Sequence, residues 1–425
     1  MIDYIDNNIA LKRTRAAFIW MKILDTPFWT IFNIFQFILF KNMHATALQI
    51  TVVIILKPAV SLLSIYWSAL IEKRKDRLLS NLISARIISH IPFLFFPFID
   101  NVWFFIASFG LFMMLARGSV PAWMEVLKLN MPKSIREKVF AYASAFAFFG
   151  GAIFSIALGT LMDKNENAWR WIFFAATLLS MGAIFFKWRI PIEIDPSQEK
   201  QSQRKEIVKI TVPFIYNHLK KPWKSAWELI ARRPDFLHYQ IGFLLGGTGL
   251  IIIQPALPML MMDQLGITYT ELALALTLFK GIGYALASPF WTRLLARIDI
   301  FRFGFWVSLL AAAFPLFLIA SKTHLWFLFV AYLLNGCMQG GSEMSWNLSG
   351  PIFSKSEDSS IYSSVNVLAV GLRGCIIPAI GSLLMTAMNL TAILCVGCLC
   401  CLLSALYFKM ISDNQVLDVK EAEIA

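Results

Sequence analysis

Long apolar runs, separated by short polar segments, follow one another along the 425 residues of the chain. Each run has about 20 residues or more, the length that an α-helix needs to cross a hydrocarbon core of roughly 30 Å. Twelve such segments fall at residues 16–40, 45–71, 79–99, 102–128, 138–162, 169–189, 236–262, 270–297, 301–320, 324–350, 360–387 and 390–411. Barrel strands would be about half as long and would alternate strictly. The pattern therefore predicts an all-α polytopic membrane protein with twelve transmembrane helices, called segments 1 to 12 below.

Two local patterns occur twice at nearly the same offset. Lys57 and the string SIYWS at Ser64–Ser68 return as Lys280 and SPFWT at Ser288–Thr292, and GSVPAW at Gly118–Trp123 returns as GSEMSW at Gly341–Trp346. Matches that share an offset and an order indicate a tandem duplication. The sequence therefore predicts two six-helix bundles, at residues 1–190 and 235–425, joined by a linker at 191–234.

Composition supports a membrane protein and excludes most soluble classes. Hydrophobic residues make up 58% of the chain, charged residues 15%, and the mean hydropathy is +0.65, so one soluble core could not bury the apolar surface. The net charge of +12 would suggest a nucleic-acid partner in a soluble protein. Here we expect no nucleic acid, because the distribution of Lys and Arg among the loops accounts for the charge.

Lys and Arg are concentrated in one of the two alternating sets of loops. That set holds the central linker and Lys12, Arg13, Arg15, Lys73, Arg74, Lys75, Arg77, Lys128, Lys133, Arg136, Lys138, Arg293, Arg297, Arg302 and Lys355. The opposite set holds Lys41, Lys164, Arg170 and Lys322. The positive-inside rule places both termini and the linker in the cytoplasm. We expect a multi-pass protein of the cell membrane, the inner membrane of a bacterium.

The central linker is polar at first and then amphipathic, with Trp223 and Trp227 among lysines and arginines. This composition favours a connector with short helices at the membrane surface. A regulatory or partner-binding role is the alternative.

Three further strings connect the chain with a known family. Ser68–Arg77 (SALIEKRKDR) is similar to a Gly-x-Leu-x-Asp-Arg signature followed by basic residues, with Ser, Glu and Lys in place of Gly, Asp and the first Arg. Pro132–Phe140 matches a Pro-x-x-x-Arg-x-x-x-Phe string, and Trp169–Phe173 (WRWIF) matches a common start of the sixth helix. Together with twelve segments in two halves, these strings resemble the major facilitator superfamily.

The resemblance implies a gate but not a substrate. It implies that Glu72 and the basic residues after it stabilise the inward-closed state through contacts between segments 2 and 11, and that Arg136, before segment 5, is a further gating residue. The residues in question are Glu72, Lys73, Arg74, Arg77 and Arg136. The drug-antiporter signature of segment 5 needs a Gly-Pro pair a few residues before Gly150, where the chain has Phe146 and Ala147. This departure disfavours a proton-driven drug exporter.

Charged residues inside the apolar segments are the candidates for a binding site. They are Asp25, Lys57, Arg117, Lys280, Glu343 and Arg373, in segments 1, 2, 4, 8, 10 and 11. An unpaired charge in mid-membrane costs at least about 2.5–3.5 kcal/mol, so these side chains should face a bundle interior or water. The resemblance implies that these segments line a central cavity. In segment 3, Arg86 should reach towards water and His90 should be a satisfied packing residue.

We predict that Lys57, Lys280, Arg117, Arg373 and Asp25 bind substrate. Lys57 and Lys280 hold equivalent places in the two repeats, so a pseudo-twofold fold should bring them to opposite walls of one cavity. Four buried cations against two anions would be compensated by an anionic solute or chloride. Two structural alternatives are an ion pair between Asp25 and Lys57, and a gate formed by Arg117 with Glu343.

The remaining chemistry is sparse. Cys395 and Cys398 have a redox or metal spacing but no His or carboxylate in their segment, so we expect apolar packing and no metal or cofactor. A nucleotide-binding loop is absent from the sequence, which leaves transport driven by a coupling ion or an exchanged solute.

The sequence therefore predicts a monomeric secondary active transporter, not an enzyme, that moves a small, anionic solute by alternating access. Two alternatives stay open at this point. One is an exporter of hydrophobic or cationic compounds in which Asp25 and Glu343 are the working residues. The other is a membrane receptor or a lipid-modifying protein that does not transport.

Overall fold

The computed structural model describes residues 2–72, 78–191, 223–354 and 359–424, and these residues form helices and short turns, with no strand among them. The helices are α1 (Ile2–Asn33), α2 (Phe35–Met43), α3 (Ala47–Glu72), α4 (Leu78–His90, followed by a 3₁₀ turn at Ile91–Phe95), α5 (Val102–Asn130), α6 (Lys133–Lys164), α7 (Ala168–Trp188), α8 (223–232), α9 (Pro234–Ile252), α10 (Ala256–Pro258, followed by a π-helical turn at Met259–Gln264), α11 (Tyr269–Ala273, followed by a π-helical turn at Leu274–Phe279), α12 (Lys280–Leu295), α13 (Ile300–Ala320), α14 (Trp326–Ser354), α15 (Ser359–Ala387) and α16 (Leu390–Ile424). The all-α prediction is confirmed.

Each predicted segment coincides with a helix or with consecutive helices. Among the described residues, seven helical spans are long and apolar enough to cross a membrane, or up to nine if each of two bent pairs is one span. The bent pairs are α1 with α2, at 48°, and α9 with residues 256–264, at 42°. The number twelve and the cytoplasmic position of the termini therefore stay predictions.

The chain forms two compact units. The first holds Met1–Thr211 together with Thr268–Ala273, and the second holds Val212–Ile267 and Leu274–Ala425. The short α11 therefore packs with the first unit, although its neighbours in sequence belong to the second. Most of the predicted linker, residues 192–222, lies outside the described residues, and its last part forms α8. The predicted boundaries at 190 and 235 stay predictions.

The same helix pairs pack in both units. In the first unit α1 packs against α6 and α7, α5 packs against α3 and α4, and α4 packs against α7. In the second unit α9 packs against α15 and α16, α14 packs against α12 and α13, and α13 packs against α16. The order of these partners along the chain is identical. The duplication inferred from short sequence matches therefore extends to the packing of the helices.

Aromatic rings fill the core of the first unit around the bend between α1 and α2. Phe32 stacks on Phe109 with ring centroids 4.4 Å apart and ring planes 3° apart. Phe35, beyond the bend, also stacks on Phe109, at 5.5 Å and 6°. All three rings are buried. Because stacked rings add to the burial of apolar area, these contacts hold the bend in place.

Close backbone approach characterises the packing of α12 against α14 in the second unit. A methyl group on Gly336 would overlap the carbonyl oxygen of Lys280, and a methyl group on Gly283 would overlap the carbonyl oxygen of Leu333. Small residues permit this approach between helices that pack within a membrane. The backbone at Lys280 is thereby fixed against α14.

Candidate functional site

Lys280 has an unusual position in the second unit. It is the first residue of α12 and directly follows the π-helical turn at Leu274–Phe279. Its side chain is partly buried. Single π-helical turns inside α-helices are frequently found at functional sites. The start of α12 and the contact with Gly336 together therefore fix the direction in which the Lys280 side chain extends.

Glu343 of α14 is held by two neutral donors. The Tyr284 hydroxyl donates to Oε2 at 2.7 Å, and the Gln339 amide donates to Oε1 at 3.1 Å. Tyr284 lies one turn after Lys280 on α12, and Gln339 lies one turn before Glu343 on α14. Glu343 is exposed and close enough to Lys280 for their charges to interact. Tyr284 and Gln339 were not predicted; their four-residue spacing from the charged residues was the available signal.

Arg373 of α15 is bound by main-chain oxygens of α9. Its Nη1 donates to the carbonyl oxygens of Phe243 and Leu244 at 3.1 and 3.3 Å. A side chain at Gly247 would occupy the place of the guanidinium, so this glycine makes room for it. Across the described ranges, no carboxylate lies within 4.0 Å of the cationic nitrogens of Arg373 or Lys280. Within its described part, the second unit thus holds two cations, Lys280 and Arg373, that have no acidic partner at ion-pair distance.

Asp25 of α1 forms an ion pair with Arg86 of α4 in the first unit. Arg86 Nη1 donates to Oδ1 at 2.8 Å, and its Nη2 contacts Oδ2. Ser180 of α7 donates its hydroxyl to Oδ1 at 2.5 Å and accepts an Arg86 bond at its carbonyl oxygen at 2.8 Å. The prediction that Arg86 reaches towards water is wrong: the residue is 9% exposed, because α1 and α7 supply acceptors inside the unit.

His90 closes this buried network. Its Nε2 lies 2.8 Å from the Ser180 hydroxyl, and its Nδ1 lies 2.9 Å from the carbonyl oxygen of Arg86. The ring packs on Phe28 and Phe112 at 5.0 and 5.3 Å between centroids. The prediction of a satisfied packing histidine is confirmed. Asp25 is thus occupied by Arg86 and Ser180, and its proposed pairing with Lys57 is not what the described contacts of the carboxylate show.

The other predicted residues of the first unit have less defined surroundings. Lys57, before Pro58 in α3, and Arg117 in α5 have exposed side chains. Of the predicted gate, Lys73, Arg74 and Arg77 lie outside the described residues, and Glu72 is described only by its backbone at the end of α3. Arg136 lies partly buried in the first turn of α6. Their roles stay predictions.

The short helix α11 is attached to the end of α6 by Asp163. The carboxylate accepts bonds from the main-chain nitrogens of Tyr269 and Thr270 at 2.7 and 3.0 Å, and from the Thr270 hydroxyl at 2.6 Å. Gly159 leaves only 2.9 Å for a side chain against the Thr270 backbone. On the other side, the Tyr269 hydroxyl contacts Asn42. Sequence reasoning missed this contact, although Thr268 and Glu271 form a capping box that marks the start of a helix.

The described part of the chain offers little to a metal ion. No group of three His, Cys, Asp or Glu side chains there is close enough together to hold a metal ion. All six cysteines are free thiols.

Comparisons with known proteins agree with this architecture. The sequence model of the Major Facilitator Superfamily matches the chain twice, over residues 21–254 and 240–423. A comparison with curated protein sequences gives no match.

Solved structures with a similar fold include three transporters. The nucleoside transporter NupG aligns over 93% of this chain and 99% of its own, with a TM-score of 0.69 and 11% identity. A bacterial homologue of the human lysosomal transporter Spinster, inward-facing and unoccupied, aligns over 95% of this chain and 96% of its own, with a TM-score of 0.62 and 13% identity. A POT family transporter in complex with 5-aminolevulinic acid aligns over 95% of this chain and 96% of its own, with a TM-score of 0.66 and 10% identity.

Identities this low show the fold alone, whereas the repeated match of the family model covers nearly the whole sequence. The family predicted from the strings at Ser68–Arg77 and Pro132–Phe140 is therefore confirmed, as is a transporter rather than an enzyme. The chain belongs to the Major Facilitator Superfamily, a family of multi-pass membrane transporters.

Proposed function

We propose that this transporter moves a small anionic solute by alternating access, and that Lys280 is the main residue that binds it. The observation that carries the proposal is the position of Lys280. It follows a π-helical turn, its backbone is fixed by Gly336, and no carboxylate of the described residues lies within ion-pair distance of it. A lysine ammonium inside a membrane is costly without a counter-charge, which a bound carboxylate or phosphate supplies.

The surroundings of Lys280 support an anion that enters and leaves. Glu343 lies near enough to act on Lys280 by its charge, while Tyr284 and Gln339 hold its two oxygens. In the absence of solute, Glu343 partly offsets the lysine without neutralising it by direct contact. A solute that replaced this weak compensation with a charge-assisted hydrogen bond would gain free energy on binding.

The other cations contribute to different degrees in this proposal. Arg373 is bound to the carbonyl oxygens of Phe243 and Leu244, so it provides positive potential more than a free donor. Lys57 and Arg117 have exposed side chains and are the candidates in the first unit. Asp25 is set apart, because Arg86 and Ser180 already occupy its carboxylate.

A second candidate rests on Glu343. Its carboxylate is exposed and hydrogen-bonded only to neutral groups among its described contacts, so a cationic compound could bind there. The chain would then export cationic or hydrophobic compounds. A receptor that does not transport is the candidate from another class, and any measurable solute flux would exclude it.

Purified transporter in proteoliposomes tests the first candidate directly. Uptake of an anionic and a cationic solute pool would be measured separately for the parent, for Lys280→Met and for Glu343→Gln. The proposal expects uptake from the anionic pool, weakened by Lys280→Met through the loss of about 1.5–3 kcal/mol of binding, roughly 10- to 150-fold in affinity. Lys409→Met, an exposed lysine of α16, is the matched control. Uptake from the cationic pool alone, abolished by Glu343→Gln, would establish the second candidate instead.

The topology belongs to the same proposal. We infer twelve crossings with both termini and the linker in the cytoplasm of a cell membrane, as the distribution of Lys and Arg predicts. Single cysteines at Lys75, Arg136 and Ser202 should react from the cytoplasmic side, and those at Asn101 and Asn165 from outside. Reaction of a cysteine at the Ser202 position from outside would contradict the cytoplasmic position of the linker.

A further inference from the structure

Three chain segments meet at one end of the first unit. Asn130, the last residue of α5, donates its amide hydrogens to the Thr14 hydroxyl of α1 and to the carbonyl oxygen of Pro191, each at 2.8 Å. The apolar run of α1 starts just beyond Thr14, and α7 ends at Trp188, which is 77% exposed. Exposed tryptophan beside Lys and Arg is typical of the membrane–water boundary. Two helices therefore reach this boundary at the same end of the unit.

A cleft of about 450 Å³ lies at this boundary, and its described lining consists of Lys12, Arg15, Ala16, Ile19 and Trp20. These positions follow the three- and four-residue spacing of one helix face. The two cations lie towards the polar end of α1, and the apolar residues lie towards the membrane. Trp20 is 46% exposed and stacks on Phe186 of α7, with ring centroids 5.6 Å apart and planes 9° apart. The cleft is thus basic at one end and apolar and aromatic at the other.

The positive charge in the cleft has no compensation among the described residues. Of the carboxylates that the structure describes, none lies within 4.0 Å of the cationic nitrogens of Lys12 or Arg15, and both side chains are exposed. The nearby end of α7 adds Arg189, whose guanidinium lies 3.9 Å from the ring centroid of Phe185. An arginine fork matches the geometry of a phosphate, and a second cation one turn away strengthens the attraction. Basic clusters beside membrane-spanning helices bind anionic lipid head groups for this reason.

We propose that this cleft binds one anionic phospholipid, with its phosphate between Lys12 and Arg15 and the start of an acyl chain along Ile19 and Trp20. A phospholipid matches both ends of the cleft, because its phosphate is anionic and its acyl chain is apolar. A free phosphate would use only the basic end, and a neutral apolar compound only the aromatic end. The volume accommodates a head group and the first part of one chain. The proposal does not depend on the solute that the protein transports.

Lipid titration of the purified transporter in detergent, followed by native mass spectrometry, tests the proposal. Phosphatidylglycerol and phosphatidylcholine with identical acyl chains would be compared on the parent, on Lys12→Gln with Arg15→Gln, and on Arg13→Gln. Arg13 is an exposed arginine of the same turn that does not line the cleft. We expect preferential binding of phosphatidylglycerol to the parent and a loss of about 30-fold in the double variant, with phosphatidylcholine binding and the Arg13 variant unchanged.

Three outcomes would overturn the proposal. Equal binding of the two lipids by the parent would show that charge does not select the occupant. An equal effect of Arg13→Gln would reduce the site to diffuse surface charge. Competition by millimolar inorganic phosphate, together with no effect of Trp20→Ala, would show that the cleft takes a soluble anion rather than a lipid. Thermal unfolding of each variant, expected within a few degrees of the parent, separates these outcomes from misfolding.

Discussion

Arg86 binds the carboxylate of Asp25 with both terminal nitrogens of its guanidinium, in the interior of the first unit. The two residues are 61 positions apart in the chain, and Ser180 of a third helix completes the contact. An ion pair of this kind ties α1, α4 and α7 together. The pair also occupies the carboxylate of Asp25, which the sequence alone made a candidate for substrate binding.

Removal of either member of the pair should destabilise the protein. Asp25→Asn or Arg86→Gln leaves one buried charge without its partner, which costs about 3–5 kcal/mol. The double variant should recover part of this loss, since neither charge is then present. Thermal unfolding in detergent measures the effect.

Asp100→Asn is the matched control, because Asp100 pairs with Arg170 but its side chain is 73% exposed. An exposed pair contributes about 0–1 kcal/mol. If Asp25→Asn proved as stable as the parent and yet failed to transport, Asp25 would return to the list of substrate-binding candidates.

Glu343→Gln should strengthen the binding of an anionic solute. The substitution removes a negative charge that acts on Lys280, while the amide keeps a similar shape between Tyr284 and Gln339. Two unit charges about 8 Å apart in a medium of effective dielectric constant near 20 interact by about 2 kcal/mol, so the affinity should rise by roughly 30-fold. Isothermal titration with the anion found in the uptake screen checks it. Weaker anion binding would mean that Glu343 itself contacts the solute.

Lys57 and Lys280 should respond differently to substitution by arginine. Gly336 fixes the backbone of Lys280 against α14, so a planar guanidinium there has little freedom to adjust, and Lys280→Arg should lose about tenfold in affinity. The exposed Lys57 has more room, and Lys57→Arg should retain binding within about threefold. Uptake kinetics over a range of solute concentrations measure the apparent affinity of each variant for the solute. The reverse order would contradict the assignment of Lys280 as the main binding residue.

Asp163→Ala should loosen α11. The carboxylate serves as an external cap for the amides of Tyr269 and Thr270, and loss of a cap costs about 0.5–2 kcal/mol. Hydrogen exchange of residues 268–273 should accelerate by roughly 2- to 30-fold. Glu166→Gln is the control, since the contact of Glu166 with Asn42 uses its carbonyl oxygen, which the change preserves. Unchanged exchange in Asp163→Ala would show that Gly159 and Asn42 alone hold the helix.

The fold was predictable from the sequence because its signals are local. Apolar runs of membrane length marked the helices, and two lysines at one offset revealed the repeat that the packing of α5 and α14 later displays. The partners of the charges were not predictable in the same way. Segment 3 alone gives only the depth of Arg86 in the membrane, and that depth predicts a side chain that reaches towards water. Its partners Asp25 and Ser180 are 61 and 94 positions away in the chain, so they come into contact with it only when the helices have packed.

The π-helical turn before Lys280 illustrates a different limit. Residues Leu274–Phe279 read as ordinary helix formers, and their sequence contains no proline or glycine. The widened turn directly precedes the close approach of Gly336 to the backbone of Lys280, and neither feature has a local signal in the sequence, so only the folded second unit shows them.

The contact of Gly336 with the carbonyl oxygen of Lys280 also bears on how this chain tolerates variation. Position 336 faces main chain rather than a side chain that could rotate away, so even alanine requires α12 and α14 to separate. A Cβ at Gly340, one turn further, would first meet the side chains of Ser288 and Trp291, at 3.3 and 3.4 Å, and the carbonyl oxygen of Tyr284 only at 3.7 Å, an ordinary contact distance. In a saturation library selected for function, position 336 should therefore accept no substitution where position 340 accepts alanine and serine. A descendant of this chain could acquire a side chain at 336 only after a compensating change had moved the two helices apart.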